Sequence, residues 1–311
     1  MRVLKTAPGE VLDLAFSPDS RAVAAVELQS PRREGHDVFL WNLHSPNIAP
    51  VRLEIGGRYR AGGLSFSADG GQLTWQLSDG QRTYDRDTRE AASEYPALLA
   101  TATAWKLGAG GTFLVSSHGL PDHVLAGWRL KEEEWVRQWQ ISTRDLMVGS
   151  VTVAPAGDRF AIFTRVTEAG RWWDQPMRLE VRDACKSAVL ALGTCAYSYA
   201  GKLAFHPSGE QIAGINDMTL LAWELPTGGD PRLVRNDNRK HFTAFAYHPN
   251  GQRLFVTSND ETVHVFDTHS LERVKRYTWQ LDKLSAVAVS PDGTLAAAGS
   301  ATGGVVVWDL D

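Results

Sequence analysis

Short bursts of alternating apolar and polar residues recur along the chain, each broken by the same kind of turn. From Leu284 the run LSAVAVSPDGTLAAAG places apolar residues on alternate positions, breaks at Pro-Asp-Gly, and resumes. Alternation of this kind predicts a strand. The break predicts a tight hairpin, because Pro presets one φ and Gly or Asn tolerates a positive one. The phrase begins again at Val11 (VLDLAFSPDSRAVAAV), Ala61 (AGGLSFSADGGQLTWQL), Val148 (VGSVTVAPAGDRFAIF), Ala200 (AGKLAFHPSGEQIAGI) and Phe242 (FTAFAYHPNGQRLFVT). A further copy from Ala100, ATATAWKLGAGGTFLVS, keeps both strands and lacks the proline. Phe16, Phe66, Trp105, Val153, Phe205, Tyr247 and Val289 form one apolar column, repeating every 40 to 50 residues or so.

After most copies a third strand ends in an aromatic and a polar residue: FLWNL at Phe39, RTYDR at Arg82, LAGWRL at Leu125, LLAWEL at Leu220, VHVFDT at Val263 and VVVWDL at Val305. The fourth unit ends in LEVRDA and has no aromatic there. A more polar fourth strand follows, as in PVRLEIG, EWVRQWQIS, PRLVRND and LERVKRY. Four short strands per repeat predict an all-β chain, a seven-bladed β-propeller of four-stranded antiparallel blades. On these residues the chain resembles the WD-repeat β-propeller family along essentially its whole length. Trp308-Asp309 is the intact WD pair; Trp41-Asn42, Tyr84-Asp85, Trp223-Glu224 and Phe266-Asp267 are degenerate versions. The Gly-His pair that usually precedes the first strand in that family is missing, so blade stability is expected to rest more on apolar packing.

The last unit stops after its third strand, at VVVWDLD, and Arg2–Thr6 is expected to supply the missing fourth strand and close the ring. The expected organisation is a single propeller over residues 1–311. Its blades run 11–57, 60–99, 100–142, 145–193, 197–237, 241–279, and 284–311 with 2–6.

Composition narrows the function classes. The 311 residues include 32 basic and 36 acidic, a net charge of −4, which argues against a general grip on nucleic acid or anionic membrane. No apolar run approaches the ~18 residues of a membrane span. Pro8, Gly9, Glu10 and Asp13 interrupt the start where a signal peptide would be apolar. Two cysteines without a CxxC or Cys/His cluster point to a cytoplasmic protein without zinc. Cys185, opening an expected outer strand, and Cys195, just before the next inner strand, read as free thiols. GxSxG, HExxH, P-loop, GxGxxG and DxDxDG motifs are absent, so neither catalysis nor a cofactor is expected. His206 and His248 occupy the repeat position of Ser17 and Ser290 and read as turn-holding residues. The charges of Lys131–Glu134 read as a solvated turn.

The resemblance implies that partners bind the face formed by loops joining blades and loops between second and third strands. Two sectors there carry recognition chemistry. Arg32 and Arg33 are expected beside Arg58, Tyr59 and Arg60, a set able to fork onto carboxylates or phosphates. Arg171, Trp172 and Trp173 are expected near Tyr197 and Tyr199, side chains that anchor interfaces through large area at small rotamer cost. Trp41, Trp128, Trp223 and Trp308, and Trp135 with Trp139 on an outer strand, read as packing between blades. The reading is a non-catalytic, cytoplasmic, monomeric ring that binds a protein or peptide, alone or as one module of a larger assembly. The rival is a hydrolase or small-ligand propeller with a site in the central channel, whose expected lining here is Ala, Val, Ser, Thr and Gly.

Overall fold

The computed structural model describes residues 1–5, 8–29, 35–45, 49–55, 62–77, 80–86, 88, 91–92, 102–107, 113–118, 123–132, 134–166, 177–195, 201–225 and 229–310. They form seven four-stranded antiparallel sheets. Sheet one comprises Gly9–Phe16, Ala22–Gln29, His36–Asn42 and Val51–Ile55. Sheet two comprises Gly62–Phe66, Gln72–Leu77, Gly80–Asp85 and the two-residue Ala91–Ala92. Sheet three comprises Ala102–Leu107, Phe113–His118, Val124–Lys131 and Glu134–Ser142. Sheet four comprises Leu146–Val153, Arg159–Val166, Met177–Asp183 and Val189–Cys195. Sheet five comprises Lys202–Phe205, Gln211–Asn216, Thr219–Glu224 and Arg232–Arg235. Sheet six comprises Phe242–Tyr247, Arg253–Ser258, Thr262–Asp267 and Arg273–Thr278. Sheet seven comprises Leu284–Val289, Leu295–Ser300 and Gly304–Asp309, completed by Arg2–Lys5 from the start of the chain. That closing strand pairs Arg2 with Val307 and Lys5 with Gly304, as the sequence leads one to expect. The architecture is a seven-bladed β-propeller.

The chain divides into two compact units, residues 1–97 with 240–311, and residues 98–239. In the first unit sheet seven is packed on both faces. Ala296, Ala298 and Val306 pack with Phe255, Val263 and Val265 of sheet six, while Ala297, Val305 and Val307 pack with Val11, Leu14 and Phe16 of sheet one. Successive residues face opposite ways along a strand, so a sheet covered on both sides needs apolar residues at every position. This is why the second and third strands of sheet seven read as near-continuous runs, LAAAG and VVVW, whereas the fourth strand of sheet six, Arg273–Thr278, is charged and largely exposed. Each fully buried Val or Leu contributes about 1.5–3 kcal/mol from desolvation.

In the second unit aromatic stacking does the same work. Trp139 of sheet three stacks on Phe160 of sheet four at 5.2 Å and 14°, and Phe163 meets Trp223 of sheet five edge-on at 5.5 Å. Trp139 lies flat over Gly127, where any Cβ would overlap the indole. Trp41, Trp128, Trp223 and Trp308 are all buried, as expected of the third-strand column.

The fourth sheet, which lacks that aromatic, fills the place with charge. Arg182 stands opposite Phe160, as Trp308 stands opposite Ala296 in sheet seven. Its guanidinium meets Glu180 at 2.6 Å and donates to the Ser187 carbonyl at 2.8 Å, and Thr164 donates to the other Glu180 oxygen at 3.0 Å. A nearly buried ion pair holds here because its remaining polar groups are satisfied.

Three of the hairpins between first and second strands share one device. Ser17 donates to Asp19 at 2.5 Å and accepts from the Ala22 N–H; Ser67 with Asp69 and Ser290 with Asp292 repeat it. His206 and His248 take the serine's part, each Nδ1 accepting the backbone N–H of Ser208 or Asn250.

Candidate interaction surface

Loops that could hold a partner lie where sheets join and where second strands turn into third strands. In the first unit the described loops of sheets six and seven are cross-pinned. In sheet six the His241 N–H donates to Asn259 Oδ1 at 3.1 Å, and the Asn259 N–H donates back to the His241 carbonyl at 3.0 Å. The run Asp260, Thr262, His264 alternates along one strand face, and this spacing builds a buried relay of hydrogen bonds. Arg273 Nη1 can only donate, so at 3.4 Å it makes His264 Nδ1 an acceptor and leaves the ring proton on Nε2. Nε2 then donates to Thr262 Oγ1 at 2.9 Å, and Thr262 donates to Asp260 Oδ1 at 2.5 Å. Arg276 reaches the other Asp260 oxygen at 3.7 Å. The loop Asn259–Glu261 is therefore held from both ends. In sheet seven the Ala301 N–H donates to the Lys283 carbonyl at 2.8 Å, and Thr302 Oγ1 donates to the Leu281 carbonyl at 3.4 Å.

The second unit shows the same construction. Asp217 and Met218 form a two-residue turn between Asn216 and Thr219, with Asp217 at φ 43°, and the Asn236 N–H donates to the Met218 carbonyl at 2.8 Å. Met218 stands 39% exposed at that tip and Met147, entering sheet four, 42%. A separate apolar strip lies on the fourth strand of sheet four, where Val189, Leu190 and Leu192 are 45–57% exposed.

All ten residues singled out from the sequence, Arg32, Arg33, Arg58, Tyr59, Arg60, Arg171, Trp172, Trp173, Tyr197 and Tyr199, lie outside the described residues. The structure thus speaks to the framework that carries their loops. The pinning pairs are what sequence reasoning missed. SNDETVH carries a signal for one of them, since Asp, Thr and His recur at spacing two. His241 and Asn259 are 18 residues apart and meet only through sheet six itself.

Chemistry elsewhere is sparse. Among the described residues no three His, Cys, Asp or Glu side chains gather closely enough to hold a metal ion. Cys185 is an exposed free thiol receiving a 3.7 Å contact from Arg129 Nη2. It sits in the turn before the fourth strand of sheet four, rather than opening that strand, because Asp183 Oδ1 accepts the N–H groups of Cys185 and Lys186 and bends the chain there. Cys195 ends the strand instead of following it.

Comparison with known proteins adds the following. A family model described as WD40, WD domain, G-beta repeat, matches residues 234–267 and 272–309. Pre-mRNA-processing factor 19 homolog 2 of Arabidopsis thaliana is 27% identical over 107 residues, covering 34% of this chain and 20% of that protein. Autophagy-related protein 16 of Arabidopsis thaliana is 32% identical over 103 residues, 32% of this chain and 20% of that protein. The chain spans about a fifth of the length of these curated relatives. The crystal structure of the Cps50 (Swd1) beta-propeller domain of Myceliophteria thermophila matches over 100% of both chains, with a TM-score of 0.75 and 13% identity. That last likeness is one of fold.

Proposed function

Since the chain is a WD-repeat β-propeller, a fold that typically serves as a protein-interaction scaffold, we propose that it is a non-catalytic platform gripping a partner protein or peptide through its loop-bearing ends. The observation that carries this reading is the cross-pinning of the Asn259–Glu261 loop to His241 and Arg276. Binding costs about 0.5–1.5 kcal/mol for each rotamer-rich side chain it must order. Loops held before the encounter avoid part of that cost. The arginine sector, Arg32, Arg33, Arg58 and Arg60 with Tyr59, would meet carboxylates or phosphates. The aromatic sector, Arg171, Trp172 and Trp173 with Tyr197 and Tyr199, would supply apolar anchors.

The test is affinity purification from the native source, followed by hydrogen-exchange mapping of the purified complex. Protection is expected at 259–261, 281–283 and 217–218. The Trp172→Ala, Trp173→Ala double variant should retain its melting temperature and lose most of the captured partner. Protection confined to the hairpins between first and second strands, or capture unchanged by the double variant, would overturn the proposal.

A further inference from the structure

The opposite ends of the sheets, where first strands turn into second and third into fourth, are mostly closed by their own serine and aspartate bonds. Between sheets one and two they open into a pocket of about 360 Å³, lined by Asp19, Arg21, Asn42, His44 and Arg86. Among the described residues no apolar side chain lines it. Two guanidinium groups, an imidazole and an amide face a single carboxylate.

Three of the five lining side chains are set by separate local devices. Asp19 is fixed by the Ser17 hydroxyl at 2.5 Å and the Arg21 N–H at 3.0 Å, both on Oδ1. Asn42 is fixed because its Oδ1 accepts the His44 N–H at 2.9 Å. Arg86 is held by the Gly70 carbonyl at 2.7 Å and by the Phe66 ring, 5.6 Å from its Cζ. The Arg21 guanidinium, by contrast, makes no hydrogen bond or ion pair among the described residues, and the same holds for the His44 ring. His44 also lines an adjoining hollow with Arg2, whose guanidinium donates to the Leu43 carbonyl, so a third cation stands nearby.

We propose that this pocket binds a phosphoryl group, donated to by Arg21, Arg86 and His44. The Asp19 carboxylate is held below its usual range first by the Ser17 hydroxyl and then by the Arg21 N–H, with Arg86 and Arg21 adding a smaller attraction. One carboxylate leaves donors unused on both arginines. A phosphoryl group carries a charge of about −1.5 to −2 and three acceptor oxygens, which suits donors arriving from three separate turns. The ligand is either free phosphate or a phosphorylated side chain of a protein. The site stands apart from the loop-bearing ends, so it holds or fails independently of the partner surface proposed above.

Calorimetric titration and amide NMR of the full chain test it with three probes: inorganic phosphate, a phosphoserine peptide, and the same peptide unphosphorylated. The expected result is saturable binding of the phosphorylated probes, with shifts centred on Arg21, Asn42 and His44. Arg21→Ala should weaken it at least about tenfold, the scale of one charge-assisted bond. Asp19→Asn, which keeps the acceptor and removes the opposing charge, should tighten it. Tighter binding of the phosphopeptide than of phosphate would assign the ligand to a protein, and equal binding would assign it to the free ion. The proposal is overturned by absence of saturation up to ~10 mM. It is equally overturned by binding that Arg21→Ala and His44→Ala leave unchanged, or by a response that sodium chloride reproduces.

Discussion

Ser20 holds, in the first hairpin, the place taken by Gly70, Gly157, Gly209, Gly251 and Gly293 in five others, where φ lies between 69° and 77°. Its own φ is 58°, a left-handed conformation that costs an L-residue about 1–2 kcal/mol. Ser20 recovers part of this, since its hydroxyl accepts a long bond, 3.3 Å, from the Asp292 N–H and also bonds the Asp292 carboxylate. Ser20→Gly should therefore stabilise the protein by up to about 1 kcal/mol in urea unfolding. In the seventh sheet the Asp292 carboxyl is lowered from 3.8 to about 2, chiefly by the Ser290 hydroxyl and next by the Thr294 N–H. A carboxyl depressed by folding stabilises the native state above its unfolded value near 3.8, and that contribution disappears as pH falls through about 2. Ser290→Ala should bring the Asp292 titration, followed by carbon-detected NMR, back toward the ordinary carboxylate range and start acid unfolding at higher pH. The serines, histidines and glycines of these turns were legible in the sequence because turn chemistry is local. Ser20's strained backbone was visible only as a departure from the repeat.

Among the sheets, the fourth shows how a repeat survives loss of its signature residue. Where other third strands bury an aromatic, Arg182 pairs with Glu180, the two side chains being 15% and 11% exposed. Removing one partner strands the other's charge in a nearly dry site, so Glu180→Ala should cost about 3 kcal/mol in denaturant unfolding. The sequence showed that the aromatic was missing; the replacement needed the cross-strand register that sets Arg182 opposite Phe160. Strand order and hairpin positions were legible because alternation and turn residues act over neighbouring positions. Two-sided burial and the misplaced start of the strand at Val189 were not, since both depend on the adjoining sheet or on a single aspartate cap. The candidate binding residues came from loop composition and family resemblance, and loops carry no periodicity from which their geometry could be read.

Across the whole molecule, the joining of chain start to chain end is what completes sheet seven. Deleting residues 1–5 would remove four residue pairs with Gly304–Val307 and leave the strand that bears Trp308 as an open sheet edge. The melting temperature should fall by roughly several degrees or more. Hydrogen exchange should quicken in 284–309 before it does in 102–235, the sheets of the other unit. Equal exchange throughout would mean that the closing strand contributes little. This pairing also orders events during synthesis. The strand at 2–5 leaves the ribosome about 300 residues before the strand it pairs with. Until then one strand has no sheet and the others wait with an open edge, the state in which newly made β-proteins aggregate most readily. The native contact that seals this protein is thus also the one that keeps its nascent chain vulnerable longest.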